Sequence, residues 1–310
     1  MNIKYLITSD WHLREDPGSR KQTRDEFIST QVDKIKNVFS IAVKHSCRAI
    51  IHGGDFFDSP KVSFAFFNII AKTFNSMPNG LTMHVIPGNH DLIGYNLSTL
   101  EYSPLTTLSY VTNRIKLQTT GAAIPYTTNH DKNLYNIPEK IIVTHNSVFH
   151  KVMPFPVILT EDLAPICKNK IVICGHIHRK FSDYHRNNNA LFLNPGPLIR
   201  TDISESGIVP SVIILELSND LIKPYFDFMT IPDTLSGSNL FDLEAYNALK
   251  DKESDINKFI DKVKNVDLRD YSWEDMIYNL AKLEGIPIEV AQEAARRLKF
   301  RNYGLINASI

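Results

Sequence analysis

The hydrophobic and polar positions of the N-terminal part alternate between short apolar runs and longer segments with helical spacing. Apolar runs at 3–8, 49–52 and 82–86 predict buried strands. Between them, apolar residues recur every three or four positions over 25–45 and 63–76, which predicts two helices. Strands that alternate with helices form parallel βαβ units. The pattern therefore predicts an α/β fold in this part of the chain.

Further along, the pattern changes to closely spaced apolar runs with little helical spacing between them. Such runs are typical of strands that follow one another directly. We expect them to form a second sheet packed against the first, which makes the fold a two-sheet β-sandwich flanked by helices. The runs lie at 115–119, 140–144, 170–174, 190–193 and 211–217.

The pattern changes once more after residue 217. A further strand is predicted at 222–231, followed by a loop rich in Ser and Gly at 236–239. We divide the chain into a main domain over 1–232 and a helical C-terminal appendage over 240–310. The helical patterns of the appendage cover 242–263, 272–284 and 287–301.

Composition narrows the class of protein. The chain has 310 residues, of which 43% are hydrophobic and 22% charged, as in ordinary globular proteins. Lys plus Arg and Asp plus Glu both number 34, so any nucleic-acid site must be a local patch. An odd number of cysteines, three, predicts reduced thiols. No signal peptide or membrane span is visible, so we expect a protein of the bacterial cytoplasm, or of a host's cytoplasm if a phage encodes it.

Five short motifs with metal-ligand residues stand at the ends of these apolar runs. Carboxylate and amide oxygens together with imidazoles suit a pair of divalent transition ions. Two such ions about 3.5–4 Å apart clamp the attacking and leaving oxygens of a phosphoryl group, so the set predicts a metal-dependent phosphoesterase. Each motif alone is weak, because Gly-Asp and Gly-Asn also form simple turns. The motifs are Asp10-Trp11-His12, Gly54-Asp55, Gly88-Asn89-His90-Asp91, Thr144-His145 and Gly175-His176-Ile177-His178.

In order and spacing, these motifs resemble the calcineurin-like metallophosphoesterase superfamily, and the resemblance covers residues 1–200. It implies a dinuclear site between the edges of two sheets, with manganese as the first choice, although the same ligands accept iron or zinc. One ion would be held by Asp10, His12, Asp55 and His178. The other would be held by Asp55, Asn89, His145 and His176, so that Asp55 bridges the two ions.

The resemblance also assigns two catalytic residues. His90 matches the histidine of its motif that does not bind metal. It would donate a proton to the leaving oxygen or stabilise the transition state. Asp91 would orient and charge the His90 imidazole.

A narrower resemblance concerns the nuclease subunits of SbcCD-type DNA repair complexes of bacteria and phages. It is carried by Ile7–Leu13, by Gly54–Asp58 and by Asn194–Pro197 with the residues after it. It implies DNA as substrate, exo- or endonucleolytic cleavage, and an SbcC-type ATPase as partner, and it leaves a homodimer open. The alternatives are a phosphatase or phosphodiesterase acting on a small molecule or phosphoprotein, and a scaffold protein with a vestigial site.

Two further segments have both a functional and a structural interpretation. The polar loop 13–24 carries four basic residues that either contact DNA phosphates or form a solvated loop. The apolar stripes of the C-terminal helices either dock the ATPase or pack on the protein's own core. Trp11 stacks on a base or packs inside the protein.

Overall fold

The computed structural model of the chain describes residues 2–127, 131–218, 224–232 and 234–264, and beyond them residues 277, 281–282 and 285–296. The chain divides into two compact units, Met1–Phe241 and Asp242–Ile310. All five motifs lie in the first unit.

Side-chain caps set the starts of the two long helices of the first unit. Thr23 caps the first of them, since its side chain accepts from the N–H of Glu26 while the Glu26 carboxylate accepts from the N–H of Thr23. Ser63 caps the second. Both predicted helices are confirmed. The helices are α1 Arg24–Lys44, α2 Phe64–Asn75, α3 Pro104–Val111, α4 Thr160–Leu163 and α5 Gly237–Leu240.

The strands form two large sheets and one small parallel pair. In chain order they are β1 Ile3–Thr8, β2 Ala49–His52, β3 Met83–Val85, β4 Ile115–Leu117, β5 Ala123–Ile124, β6 Ile141–Thr144, β7 Val148–Phe149, β8 Ile158–Leu159, β9 Ile171–Cys174, β10 Phe181–His185, β11 Ala190–Asn194, β12 Ser211–Leu217 and β13 Tyr225–Thr230. The six-stranded sheet has the order β13-β12-β1-β2-β3-β4, and the five-stranded sheet has the order β10-β11-β9-β6-β5.

Two strands predicted for the second sheet belong to the first. β4 pairs parallel to β3, with Met83 opposite Ile115, because α3 completes one more βαβ unit that the sequence pattern did not reveal. β12 pairs antiparallel to β1, with Ile7 opposite Ile213. The chain therefore returns to the first sheet after it has formed the second. The predicted class, α/β with two sheets flanked by helices, is confirmed.

Three apolar clusters hold the layers together. The facing sides of the two sheets pack through residues such as Ile7, Ile173 and Ile213. Helices α1 to α3 cover the outer face of the six-stranded sheet through a larger cluster that includes Phe74 and Trp11. A third cluster covers the outer face of the five-stranded sheet. Both faces of each sheet are thus covered by apolar packing, and only the ends of the strands are left for polar residues.

The second unit contains α6, Leu243–Lys264, which confirms the helix predicted at 242–263. It has a small apolar cluster that includes Ile256, Ile277 and Val290. Of the helices predicted at 272–284 and 287–301, most of the first and residues 297–301 lie outside the described residues. None of the described helices is long and apolar enough to cross a membrane.

Candidate metal centre

The motif loops run side by side at the carboxyl ends of β1, β2, β3, β6 and β9. Backbone hydrogen bonds tie the first two loops together, from Asp10 N to Gly54 O at 3.0 Å and from His12 N to Asp55 O at 3.1 Å. These ends meet because parallel strands of one sheet point the same way and the second sheet packs against the first. The predicted ligands, distant in sequence, therefore converge.

Among the described residues, three groups of side chains could each hold a cation; one of them, His12, Asp58 and His90, contains only one predicted ligand, and the other two consist of predicted ligands. Of these two, one contains Asp10, His12 and His178, and the other contains Asp55, His145 and His176, with the ligand atoms of each group within 4.8 Å of one another. Asp55 lies between these two groups. Its Oδ2 is 3.5 Å from His12 Nε2 and 3.1 Å from His145 Nε2.

Asn89 and His90 connect to these groups through the loop after β3. The Oδ1 of Asn89 lies 3.0 Å from the Nδ1 of His176. The backbone N–H of His90 donates to Asp55 Oδ1 at 2.8 Å. The seven residues predicted as ligands are thus brought together, and their individual roles remain predictions.

Four of the seven candidate ligands adopt the left-handed backbone region. The φ angles are 51° for Asp10, 45° for His12, 53° for Asp55 and 74° for His176. Non-glycine residues rarely occupy this region, and each such residue costs about 1–3 kcal/mol. Strain of this kind persists where the surrounding structure holds a functional geometry, so its concentration at these four positions marks a functional site.

Two glycines allow the loops to approach the candidate ligands. A Cβ atom at Gly88 would overlap the Asp55 carboxylate. At Gly54, where φ is +102°, a Cβ atom would overlap the His145 ring. Glycine is needed here for close approach and, at Gly54, also for its backbone conformation.

The imidazole rings are oriented by hydrogen bonds at Nδ1. His12 Nδ1 lies 3.0 Å from Asp58 Oδ1, and His145 Nδ1 donates to Gly53 O at 2.7 Å. His178 Nδ1 bonds to Glu205 Oε1. A partner at Nδ1 leaves the lone pair of Nε2 for a metal ion, which is the usual outer arrangement of metal-binding histidines.

Electrostatics at the centre favour positive charge. Burial by itself lowers the pKa of His145, but the Asp55 carboxylate raises it to about 9. Burial also raises the pKa of Asp55, yet His145 and His12 bring it well below its usual value. The negative potential that favours a proton on His145 also favours a divalent cation at the same place.

The residues present fit a pair of metal ions. Asp10 Oδ2 is buried and has no hydrogen-bond partner in the part of the chain that the structure describes, and His145 Nε2 faces the Asp55 carboxylate at 3.1 Å. His12 Nε2 and His178 Nε2 lie 2.9 Å apart, although at most one can carry a proton toward the other. Buried polar atoms are normally satisfied, so the unpartnered Asp10 Oδ2, beside two imidazole nitrogens that face each other, fits a metal ligand set.

The first comparison with known proteins concerns families. Residues 3–220 match the sequence profile of the calcineurin-like phosphoesterase superfamily domain. The chain belongs to this superfamily. It is accordingly a metal-dependent phosphoesterase, as the motifs predicted.

The match of this chain to an individual curated protein covers only part of each sequence. The chain is 35% identical over 95 residues to Exonuclease subunit 1 of Enterobacteria phage T4, a match that covers 29% of this chain and 26% of that protein. The chain thus spans about a quarter of the length of the curated relative that it matches.

Solved structures with a similar fold include a phosphoesterase from E. coli (14% identity, TM-score 0.36, covering 74% of this chain and 100% of that one). The chain is also similar to a Thermus thermophilus protein, with 14% identity and a TM-score of 0.40, over 73% of this chain and 99% of that one. A third similar structure is a putative 5'-nucleotidase from Staphylococcus aureus, with 14% identity and a TM-score of 0.42, over 76% of this chain and 55% of that one.

When bound, the ions of such a phosphoesterase acidify a water and neutralise charge on the phosphoryl oxygens. His90 is placed to act beside them, because its side chain is 38% exposed and its ring packs edge-on against His12, with centroids 4.7 Å apart. Its Nδ1 lies 2.8 Å from the carbonyl oxygen of Asp58, which can only accept. Nε2 is therefore the nitrogen left for the reaction, and it can donate a proton to a leaving oxygen when the ring is protonated at both nitrogens; this role of His90 stays a prediction.

The structure shows other contacts of Asp91 than the predicted one to the His90 ring, and its catalytic role stays a prediction. Both of its oxygens accept backbone N–H groups. Burial and the charge of Asp55 raise the pKa of Asp91 above its usual value, against the lowering effect of these donors. Asp91 fixes the loops that carry the candidate ligands. The donors are the N–H groups of Phe56, Phe57 and Gly88.

Sequence reasoning missed two carboxylates that orient candidate ligands. Asp58 contacts His12, and Glu205 contacts His178. Both residues belong to segments that carried the narrower resemblance, and this was the one signal in the sequence that could have indicated a role at the site. No regular spacing connects either carboxylate to its histidine. Their contacts form only after the fold brings separate loops together.

The two ambiguous features of the N-terminal motif are resolved. Trp11 is fully buried, stacks near Phe56 and donates from Nε1 to Thr8 Oγ1 at 2.6 Å, so it packs inside the protein. In the basic loop, Arg20 is buried and Arg14 and Arg24 form ion pairs within the protein. This loop therefore offers far less free positive charge to DNA than its composition indicates.

Proposed function

We propose that this chain is a dinuclear phosphodiesterase that cleaves DNA, and that it is the nuclease subunit of an SbcCD-type repair or recombination complex. The observation that carries the proposal is the 35% identity over 95 residues to a phage exonuclease subunit. The intact set of candidate ligands supports a working hydrolase and argues against a vestigial site. Manganese is the proposed metal, as the family resemblance implies, and iron or zinc are the alternatives that the same ligands accept.

An aromatic surface beside the centre supports a nucleic-acid substrate. The ring of Tyr126 lies 5.3 Å from that of His176, and Tyr95 lies 6.1 Å beyond Tyr126. Tyr95 is 58% exposed. Exposed aromatic rings stack on bases, at about 1–3 kcal/mol per base. We infer that Tyr95 and Tyr126 contact a base next to the scissile phosphate.

The proposed partner is an SbcC-type ATPase, recruited by the unit Asp242–Ile310. This unit has its own apolar cluster, so part of its apolar surface is buried internally. Docking therefore uses the remaining helix surface. The proposed cytoplasmic location fits the three cysteines, which are free thiols.

The deciding experiment measures which phosphate ester the full chain hydrolyses. Purified protein with manganese is assayed on end-labelled duplex and single-stranded DNA, on a nitrophenyl phosphodiester and on a nitrophenyl phosphomonoester. We expect cleavage of DNA and of the diester. Faster turnover of the monoester than of either would favour the alternative, a phosphatase acting on a small molecule or phosphoprotein.

The aromatic surface provides a control within the same assay. Tyr95→Ala should raise KM for DNA and leave kcat/KM for the small diester unchanged. Tyr110 on α3 is 82% exposed, so Tyr110→Ala is the matched control and should change neither value. If both variants behave as wild type on DNA, Tyr95 does not contact the substrate.

A further inference from the structure

Three basic side chains are buried together at α1. One lies on the helix, one on the loop before it, and one on the loop that follows β11. Only 8% of Arg20, 7% of Lys34 and 3% of Arg200 is exposed. They line one small cavity of about 10 Å³, measured as the space open to the centre of a water-sized particle. Arg and Lys are almost never buried to this extent unless they are paired with an opposite charge.

Their hydrogen bonds do not supply that opposite charge. Lys34 Nζ, Arg20 Nη1 and both terminal nitrogens of Arg200 donate to neutral backbone carbonyls. Arg20 Nη2 and Arg200 Nε are buried and have no partner among the described residues. Two donors thus remain for another acceptor. The carbonyls already used belong to Pro17, Leu198, Ser206 and Leu235.

Two carboxylates act on the cluster through space. Glu205 favours the charged forms of Arg20 and Arg200, and Asp58 favours that of Arg20, but their hydrogen bonds go to His178, His12 and Arg14. Three cations thus share two carboxylates, neither of which bonds to them directly, and a buried charge of this kind is unfavourable without a further counter-ion. In keeping with this, burial together with the charges of Arg200 and Arg20 lowers the pKa of Lys34 to about 7.

We propose that the cavity between Arg20, Lys34 and Arg200 binds one small monovalent anion such as chloride. An anion would accept from the two unpartnered guanidinium nitrogens and neutralise part of the buried charge. The space open to a water-sized particle suits one small occupant, so we expect phosphate and sulfate to fit worse than a halide. A water is the competing occupant, because the buried Gln22 Oε1 also lacks a partner among the described residues and could accept from it.

The position of this anion site gives it a structural purpose. Lys34 Nζ binds the carbonyl of Leu198, and the N–H of Leu198 donates to Asp10 O at 3.1 Å. Arg200 lies two residues further, at the start of the loop that carries Glu205. The anion would tie α1 to the loop that orients His178.

The test compares halide with a bulky anion at constant ionic strength and pH. The thermal unfolding of the full chain is followed in sodium gluconate as chloride, bromide or phosphate replaces it. At about tenfold excess of halide over its Kd, Tm should rise by about 3–5 °C and then increase slowly. Phosphate should give no such increase. Equal Tm values in halide and gluconate would overturn the proposal, as would an equal increase with phosphate.

Two variants and a direct measurement complete the design. Lys34→Met removes one cation at similar volume and also the donor to Leu198 O, so its Tm in gluconate can fall, but it should lose the halide increment. Lys36→Met, on the exposed side of the same helix, should keep the increment. A wild-type crystal grown in bromide should show an anomalous peak in the cavity. A water without anomalous signal there would refute the proposal even if the Lys34 variant did not fold.

Discussion

Replacement of Asp58 by Asn should weaken one metal site and spare the other. Asp58 Oδ1 lies 3.0 Å from His12 Nδ1, and Oδ2 lies 3.2 Å from Arg14 Nη1. Burial raises the pKa of Asp58, but the His12 contact and the Arg14 charge lower it to about 2, so the side chain is a carboxylate at neutral pH. In Asp58→Asn the amide oxygen can still accept from His12, but the negative charge is lost.

The expected loss of metal affinity in Asp58→Asn follows from two independent estimates. A hydrogen bond to a charged group contributes about 1.5–3 kcal/mol. Loss of an outer partner of a metal-binding histidine typically reduces metal affinity by about 10–100-fold, which equals about 1.4–2.8 kcal/mol. We therefore expect the affinity of the ion held by Asp10, His12 and His178 to fall by about 10–100-fold.

Manganese titration, followed by calorimetry and by the paramagnetic resonance of free manganese, measures both sites separately. The matched control is Asp183→Asn, because Asp183 Oδ2 lies 2.9 Å from His185 Nε2 on β10, outside the centre. The control should bind manganese like wild type. The reasoning is refuted if Asp58→Asn leaves both affinities unchanged, or if both sites weaken equally.

Four other predictions concern metal content, loop packing, proton donation and the chain terminus. Elemental analysis after manganese loading should give two ions per chain, and a chelator should abolish turnover; one ion per chain would contradict the dinuclear assignment. Gly88→Ala should destabilise the protein by about 1–3 kcal/mol in urea unfolding and reduce metal content, because its Cβ overlaps a ligand carboxylate. His90→Asn should lower kcat by about 10²–10⁴-fold with metal content retained, and loss of the metals would show that His90 is a ligand. A chain ending after Phe241 should keep its fold and diester activity, whereas one ending after Leu235 should lose about 3–5 kcal/mol, since Phe241 is fully buried in the first unit.

Local pattern predicted the main helices and strands of the first half and the residues that meet at the centre, but not α3 or the sheet to which β4 and β12 belong. The helices α1 and α2 and the strands before the motifs could be predicted because apolar periodicity and capping residues act over a few positions. The candidate ligands could be predicted because a metal centre needs particular side chains, and the ends of parallel strands bring those side chains together. The types of these residues and their positions at strand ends were thus enough to predict which side chains meet at the centre.

Tertiary structure decided which strands are neighbours and which side chains support the centre. β12 joins the first sheet because Ile213 pairs with Ile7, a contact that no local pattern specifies. Asp58 and His12 are 46 positions apart, and Glu205 and His178 are 27 apart, so neither pair follows from spacing. These contacts depend on how separate loops pack, which is a property of the whole folded chain, whereas periodicity and ligand type are properties of short segments.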